Sequence, residues 1–447
     1  MVTFTACRKK PEVVVPARPT PREVKSLSDM DSQVGVRVYL NAIDFFRLAA
    51  PEGQTREHVA STIKGALAGA LVYYYPMAGR VRELPDGKKL VVECTSEGAV
   101  FVEAHADVRL EELGKPLVKP HPCIAEFMCD VGDARDVVGK PVLYLQMTQL
   151  GCGGLVLALS VSHSLVDVTG MYQIFRCITD LARGQSRPTI LPVWERQLLV
   201  ASSPEEEEEA EAEAVSTTLA QPPASLQADA LVTRYFLFGP REIAALRTGL
   251  SATATVFELI TAAVWRCRAE ALQYPPHERV RLFFIVNGRG AWKRAPPLPP
   301  GFYGNAGFIT TAEAGAAELC GAPLERVVGL VHEAKLRFTD EHVRSYLGKM
   351  ARGKHSHSPE VALHWSSFIV SDVTRCVDNS LDIGTWAEHV GGGPAVARDV
   401  LMSSPCVYKS CKDTNGEVCV LVPMCLPELA MRRFASQIAA LTNMSGC

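Results

Sequence analysis

The sequence lacks paired cysteines. Its 14 cysteines are scattered as single residues over the 447-residue chain, with no Cys-x-x-Cys pair and no zinc-site spacing of Cys and His. The sequence therefore indicates neither a disulfide scaffold nor a structural zinc site. We expect reduced thiols, most of them in the core of an intracellular protein.

Long apolar runs are also missing. The N-terminal stretch MVTFTACRKKPEVVVPARPTP has no continuous hydrophobic region like that of a signal peptide, and the apolar runs elsewhere are too short to span a bilayer. Charge of one sign is not in excess either, because the formal net charge is only −3. We therefore expect a cytoplasmic protein that binds neither membranes nor nucleic acid.

Apolar material is abundant, with 47% hydrophobic and 21% charged residues. One stretch interrupts it: residues 202–227, SSPEEEEEAEAEAVSTTLAQPPASLQ, combine a self-repelling acidic run with Pro, Ser and Thr. We predict a flexible crossover linker there, between a domain at 1–201 and a domain at 228–447. Strand-like and helix-like segments alternate in both halves, so we predict an α/β fold of two similar domains, each a mixed sheet flanked by helices.

Several segments give specific predictions of secondary structure. PVLYLQMTQLGCGGLVLALSVSH (141–163) predicts a hairpin, because two apolar strands flank a glycine-rich turn. KKLVVECTSEGAVFVEAHA (88–106) predicts another hairpin, and VTGMYQIFRCITDLARG (168–184) predicts a helix that ends at its glycine. LERVVGLVHEAKLRFTDEHVRSYLGKM (324–350) predicts one long helix.

The hairpin at 141–163 ends in a polar residue, and a second polar residue follows closely. His163 comes directly after the apolar strand, and Asp167 lies four residues on, before the next helix. The junction of a strand and a helix is a common place for a ligand crevice. There Asp167 could brace the turn that holds His163 or touch its imidazole directly.

The residues alone leave several interpretations of His163 open. A buried histidine satisfied by a neighbour is the commoner situation for a lone histidine on an apolar strand. A Ser-His-Asp hydrolase would need a nucleophile elbow, and no G-x-S-x-G occurs in the sequence. A metal site is weakly indicated, because His355 and His357 of KHSHS have no carboxylate-rich neighbour as a third ligand.

Other segments, in a fixed order along the chain, change this balance. They are LVYYYPMAGRV (71–81), LPVWERQLL (191–199), TVFELITAAVWRCRAEAL (255–272), VNGRG (286–290), GFYGNA (301–306) and SDVTR (371–375). Together with HSLVD (163–167), a His-x-x-x-Asp motif, they resemble the plant BAHD acyl-CoA-dependent acyltransferases. The resemblance covers nearly the whole chain.

The resemblance implies two chloramphenicol-acetyltransferase-like domains with a solvent channel between them. Acyl-CoA would enter from one face as a cosubstrate and a small-molecule alcohol from the other, and no cofactor would be bound permanently. His163 would be the general base, without a covalent intermediate. Asp167 would pair with Arg289 and hold the histidine turn, and Ser371 would donate a hydrogen bond to the oxyanion. We expect a monomer.

The sequence departs from the family at one motif. The family's Asp-Phe-Gly-Trp-Gly is replaced by Asp382-Ile383-Gly384-Thr385-Trp386, in which the tryptophan comes one place late. In the family this motif lies away from the chemical centre and supports the fold and the cofactor channel. We carry Asp382 over among the catalytic motif residues, with a structural role expected, and Gly384, Thr385 and Trp386 as cofactor-binding residues.

The acceptor and the acyl group stay open at this point. SDVTR and GFYGNA are most similar to the alcohol acyltransferase branch, which includes benzyl alcohol benzoyltransferases and hydroxycinnamoyl transferases. That similarity favours a hydroxyl acceptor and an aromatic or short acyl donor such as benzoyl, hydroxycinnamoyl or acetyl. An amine acceptor is one alternative. A non-catalytic protein that binds acyl-CoA or another small ligand is the second, favoured only by the altered DIGTW segment.

Overall fold

The computed structural model describes most of the chain. The described residues are 3–48, 56–85, 87, 89–114, 117, 124–201, 230–291, 296–351, 365–376, 381, 383–395 and 406–442. The predicted linker at 202–227 lies outside them, so the two domain boundaries beside it stay predictions. Asp382, His355 and His357 also lie outside the described residues.

Strands and helices alternate along both halves. Strands β1 to β9 of the first half are Ala6–Arg8, Glu12–Val14, Val24–Ser26, Tyr39–Leu48, Arg80–Glu83, Leu90–Glu93, Ala99–Ala106, Leu143–Leu150 and Leu155–Ser162. Strands β10 to β16 are Leu231–Phe238, Arg279–Asn287, Gly307–Gly315, Ser367–Asp372, Ala387–Ala395, Cys406–Lys412 and Val418–Pro427. Helices α1 to α9 are Arg56–Tyr73, Val168–Ala182, Pro240–Arg247, Val256–Leu272, Gly288–Ala291, Ala316–Gly321, Leu324–Leu336, Asp340–Ala351 and Glu428–Leu441. No helix in the described ranges is long and apolar enough to cross a membrane.

The first sheet has seven strands. Six follow the order β1-β7-β8-β9-β4-β14, and β2 also pairs with β7. The sheet is mixed, because β7 and β8 are parallel whereas β8, β9, β4 and β14 are antiparallel. Helices α1 and α2 cover one face, where their apolar side chains share a core with alternate residues of β4 and β9 such as Phe46, Leu157 and Val161.

Strand β14 comes from the second half of the chain but forms the edge of this first sheet, beside β4. Gly392 lies opposite Asp44 with a φ of +146°, and a Cβ there would lie 2.6 Å from the Cα of Asp44. A glycine is therefore required for the close approach of the two strands. Next to it, Nε2 of His389 lies 2.8 Å from Oδ1 of the fully buried Asp44. The second half thus completes the sheet of the first.

The second sheet has six strands in the order β10-β16-β15-β13-β11-β12. It is also mixed, since β11, β13 and β15 run parallel. Helix α4 lies at the centre of its core with Trp265 fully buried, and it packs against α7 and α9. A capping box starts α4: Oγ1 of Thr255 accepts from the N–H of Glu258 at 3.3 Å, and Oε2 of Glu258 accepts from the N–H of Thr255 at 2.7 Å.

The predicted α/β class, with mixed sheets flanked by helices, is confirmed by these two sheets. The hairpin at 141–163 is also confirmed: β8 and β9 pair antiparallel, and Gly153 in the turn has a φ of +82°. Helix α2 ends at Ala182, and Gly184 follows with a φ of +90°.

Two predictions of secondary structure are wrong. The segment 88–106 is not a hairpin, because β6 pairs with β3 and β5 in a separate three-stranded sheet while β7 belongs to the first sheet. The segment 324–350 is not one helix: α7 ends at Leu336, and Thr339 starts α8 by accepting from the N–H of His342 at 3.2 Å.

Candidate active site

His163 lies at the end of a central strand of the first sheet. The eight residues of β9, Leu-Val-Leu-Ala-Leu-Ser-Val-Ser, are all buried because β8 and β4 flank the strand on both sides. The N–H of His163 still bonds to the carbonyl of Val38 at 2.8 Å, and the chain then turns into helix α2. The turn 163–167 therefore stands on a rigid strand and leads into a rigid helix.

Among the described residues, only one of the two nitrogens of the His163 imidazole has a hydrogen-bond partner. Nδ1 lies 2.7 Å from the carbonyl oxygen of Val166. Because a carbonyl only accepts, Nδ1 carries the proton in the neutral ring and Nε2 holds the lone pair. Within the described part of the chain, no hydrogen-bond partner lies at Nε2. Burial lowers the pKa of His163 from its ordinary value, more than the carbonyl of Val166 and the carboxylates of Asp167 and Asp31 raise it.

Asp167 caps helix α2 and binds Arg289. Its Oδ1 accepts from the N–H of Gly170 at 2.9 Å. Arg289 binds the same carboxylate with two nitrogens, Nη1 to Oδ2 at 2.7 Å and Nη2 to Oδ1 at 3.0 Å. The carboxylate lies at a helix N-terminus, where negative charge is favoured. The structure therefore brings Asp167 and Arg289 together as expected, and the hydrogen bonds of the carboxylate go to Arg289 and the main chain.

Three further polar residues hold the same turn, and the sequence did not single them out. Asn305 donates from Nδ2 to the carbonyl of His163 at 2.7 Å and to Oδ1 of Asp31 at 2.8 Å. Arg196 donates from Nη2 to the carbonyl of Leu165 at 2.7 Å, and its Nη1 lies 3.0 Å from Oδ2 of Asp31. Asp31, Arg196 and Asn305 are all buried. Asn305 lies in GFYGNA and Arg196 in LPVWERQLL. The resemblance of these two motifs to the family was the only sign in the sequence that the two residues belong to the site.

The guanidinium of Arg196 lies among aromatic rings. Its Cζ is 4.6 Å from the ring centre of Trp194, 4.8 Å from that of Tyr303 and 5.3 Å from that of Phe302. A side chain at Gly304 would collide with this guanidinium. The GFYGNA loop therefore supplies two of the three rings and, at Gly304, the space that a buried arginine needs.

Ser371 is the next-to-last residue of strand β13. The chain after it reaches the N-terminus of α2, where Oγ1 of Thr169 donates to Sγ of Cys376 at 3.3 Å. Ser371 is partly buried and makes no hydrogen bond to His163 in the described structure.

The described part of the DIGTW segment, residues 383–386, lies at the other end of α2. Gly384 packs against Arg183, and a Cβ on the glycine would lie 3.2 Å from the Cβ of that residue, which follows the last turn of the helix. Ile383 is buried and Trp386 packs against the first core. Since α2 has 15 residues, the segment lies about 20 Å from the N-terminus of the helix, where Asp167 is. The structure does not bring Gly384 and Trp386 to His163; for Thr385 it describes the main chain only.

The described residues form no metal-binding cluster. Among them, no three His, Cys, Asp or Glu side chains come together in a group that could hold a metal ion. The described cysteines are free thiols. With Nδ1 of His163 bonded to the Val166 carbonyl, Nε2 can take part in acid–base chemistry.

Comparison with protein families gives a match over nearly the whole chain. Residues 2–441 match the model of the Transferase family. Acyl transferase 1 of Oryza sativa subsp. japonica is 44% identical, with 99% of this chain and 97% of that protein covered. Benzyl alcohol O-benzoyltransferase of Nicotiana tabacum is 40% identical (99% and 95% covered). Spermidine hydroxycinnamoyltransferase 1 of Oryza sativa subsp. japonica is 41% identical (92% and 93% covered).

Solved structures share the fold at lower sequence identity. Vinorine synthase superposes with a TM-score of 0.73 at 18% identity, and 98% of each chain is covered. F. sporotrichioides TRI101, solved in a complex with coenzyme A and T-2, has a TM-score of 0.66 at 16% identity, with 93% of this chain and 97% of that chain covered. At these identities the similarity concerns the fold alone.

Proposed function

Because this chain belongs to the Transferase family, the BAHD acyltransferases, and is an acyltransferase, we propose that it moves an acyl group from a CoA thioester to the hydroxyl of a small plant metabolite. The acyl group is aromatic, such as benzoyl or hydroxycinnamoyl, or acetyl. The benzoyltransferase of Nicotiana tabacum among the relatives supports a hydroxyl acceptor, and the complex of TRI101 with coenzyme A supports acyl-CoA as the cosubstrate.

The observation that carries the proposal is the free Nε2 of His163. With the Nδ1 proton held by the Val166 carbonyl, Nε2 takes the proton of the acceptor hydroxyl as its oxygen attacks the thioester carbonyl. The lowered pKa of His163, caused by burial, keeps the imidazole neutral near pH 7. The oxyanion then collapses and expels the CoA thiolate, whose pKa of about 8.5 makes it a good leaving group.

The other residues support this step. The Asp167–Arg289 pair holds the turn in place. Ser371 donates to the oxyanion in the proposed mechanism, supported by its hydrogen-bonding capacity at the end of β13. Gly384, Thr385 and Trp386 remain the proposed cofactor-binding residues, and Asp382 remains a motif residue with a proposed structural role. The proposed enzyme is a cytoplasmic monomer.

The test is His163→Ala, assayed by thiol release from a panel of acyl-CoAs with pooled alcohols. We expect release to fall by at least about 100-fold, the usual contribution of a general base. His105→Ala is a matched control, because Nδ1 of His105 also lies at a main-chain carbonyl, that of Gln149 at 3.0 Å, on strand β7 of the same sheet. Turnover of His163→Ala within a few-fold of the unchanged protein would refute the role as a base.

An amine acceptor is the second candidate, favoured by the 41% identity to a spermidine hydroxycinnamoyltransferase. His163 can also deprotonate an amine as the amine attacks the thioester, so the presence of this base does not distinguish an alcohol acceptor from an amine acceptor. Pooled alcohols and amines with each acyl-CoA, read by mass spectrometry, decide between ester and amide products. A protein that binds acyl-CoA and yields neither product would favour the non-catalytic alternative.

A further inference from the structure

The turn that carries His163 is attached to the second half of the chain by a carboxamide. Asn305 is 4% exposed, and its side-chain nitrogen donates one hydrogen to the His163 carbonyl and the other to Oδ1 of Asp31. The opposite orientation of the amide would aim its oxygen at a carbonyl and a carboxylate, both of which only accept. The orientation of Asn305 is therefore fixed by its two acceptors.

Asp31 in turn fixes Asn305 at two points. Oδ1 of Asp31 accepts from the main-chain N–H of Asn305 at 3.0 Å as well as from its side chain. The carboxylate is fully buried, and it also accepts from Arg196, from the hydroxyl of Ser28 at 2.6 Å and from the main-chain N–H of Ser28 at 3.1 Å. A buried charge that has all these partners is a rigid anchor, because the loss of any partner is costly.

We propose that Asn305 and Asp31 are positioning residues for His163, which hold its main-chain carbonyl and thereby aim Nε2 at the acceptor. The inference rests on the proposed role of His163 as the base. The carbonyl of Val166, which orients the ring through Nδ1, belongs to the same turn. A turn released from Asn305 no longer holds that carbonyl firmly against Nδ1, so the ring is displaced, and misplacement of a catalytic group by about 1 Å costs up to ~100-fold in rate.

The primary variant is Asn305→Ala, with kcat, KM and the pH profile as kinetic measurements. Asn305 and Asp31 are both buried; Asn305 holds His163 by its main-chain carbonyl, and Asp31 holds Asn305. We expect kcat to fall roughly 10- to 100-fold and KM to stay within about twofold. Water that enters the loosened turn reduces the burial that lowers the pKa of His163. The carboxylates of Asp167 and Asp31, which raise this pKa, stay in place because they are paired with Arg289 and Arg196. The acid limb of the profile then shifts to higher pH, toward ~6.5.

Thr310→Ala is the matched control. It removes one hydrogen bond of a buried residue, from Oγ1 to the carbonyl of Ala334 at 3.0 Å, in the second half of the chain. We expect Thr310→Ala to lower the melting temperature to an extent comparable with Asn305→Ala, with kcat and the pH profile unchanged. An equal fall of kcat in both variants would overturn the positioning role, because it would follow stability alone.

A measurement on the imidazole itself separates this proposal from the proposed function. Histidine-selective ¹³C labelling gives an NMR titration, in which the His163 signal is assigned by its loss in His163→Ala. In Asn305→Ala the titration should move toward ~6.5 and the single Nδ1–H tautomer should give way to a mixture. An unchanged titration and tautomer would overturn the inference, whether or not the protein transfers acyl groups.

Asn305→Ser is a second variant, to be measured if Asn305→Ala does not fold. A serine hydroxyl retains one donor near Asp31 and is too short to bridge to the His163 carbonyl as well. We expect a smaller loss of stability than with alanine but the same shift of the His163 titration. A serine variant with the unchanged titration would again overturn the inference.

Discussion

The two ring nitrogens of His163 have different surroundings, and the difference determines which one can act as a base. The Val166 carbonyl occupies Nδ1 at 2.7 Å, so proton transfer at Nε2 needs no prior change of tautomer. The carboxylate of Asp167, four residues away, binds Arg289 and caps the start of α2. At the scale of the residue, the Val166 carbonyl therefore orients the imidazole, and Asp167 anchors the turn through hydrogen bonds to other groups.

The pH dependence of the rate follows from the pKa of His163. Burial lowers this pKa below the ordinary value of 6.5, and the neutral imidazole is the active form. We therefore expect kcat/KM to fall on the acid side with an apparent pKa below 6.5, and to stay level from there to neutral pH. Initial rates between about pH 5 and pH 8 measure it. An acid limb centred above 6.5 would contradict the buried position of the ring.

Asp167→Asn separates the charge of Asp167 from its helix cap. Asparagine is also a good N-cap, so the change removes mainly the charge opposite Arg289. We expect a loss of about 1–3 kcal/mol in the free energy of unfolding together with lower kcat, measured by denaturant titration and steady-state kinetics. A lower rate with unchanged stability would instead indicate that Asp167 acts on the imidazole directly. Glu112→Gln, in an exposed capping interaction with the N–H of Arg109, is a control for loss of charge.

At the scale of the element, strand β14 depends on glycine. A methyl group at Gly392 would collide with the main chain of β4, and the φ of +146° strains any other residue. We expect Gly392→Ala to lower the free energy of unfolding by at least about 1–3 kcal/mol. Gly315→Ala is the control, because Gly315 has a φ of −67° and a Cβ added to it would have nothing within 4 Å. Equal melting temperatures for the two variants would contradict the close packing of β14.

Local patterns were sufficient for some elements and not for others. The hairpin of β8 and β9 could be predicted because its turn glycines and both strands are adjacent in sequence. The segment 88–106 does contain the two strands that its sequence predicted, but their partners β1, β2, β3, β5 and β8 lie elsewhere in the chain. The break between α7 and α8 had a local signal in Thr339, which the strong helical periodicity on both sides concealed.

At the scale of the whole molecule, the two halves depend on each other. Strand β14 completes the first sheet, and the pairs Asp167–Arg289 and Asp31–Asn305 link the halves around the His163 turn. We therefore expect one cooperative calorimetric transition with equal van't Hoff and calorimetric enthalpies. Two resolved transitions, or an excess of calorimetric enthalpy, would mean that the halves unfold independently.

The same long-range contacts explain what the sequence could not reveal about the site. His163 and Asp167 could be predicted because both lie in the motif HSLVD. Arg289 could be predicted because VNGRG resembles a second motif of the family. Asp31 is separated from Asn305 by 274 positions and from Arg196 by 165. Nothing in the spacing of single residues indicates such a contact, because only the folded chain brings these side chains together.

The late position of β14 has a consequence for synthesis on the ribosome. Strand β9 is complete at residue 162, but β14 ends only at residue 395, so the ribosome adds more than half of the chain in between. At about 5–20 residues per second this takes roughly 10–50 s. Throughout that time the hydrogen-bonding edge of β4 has no partner and can pair with other chains. The nascent protein therefore needs protection, for example by chaperones, before its first sheet can close.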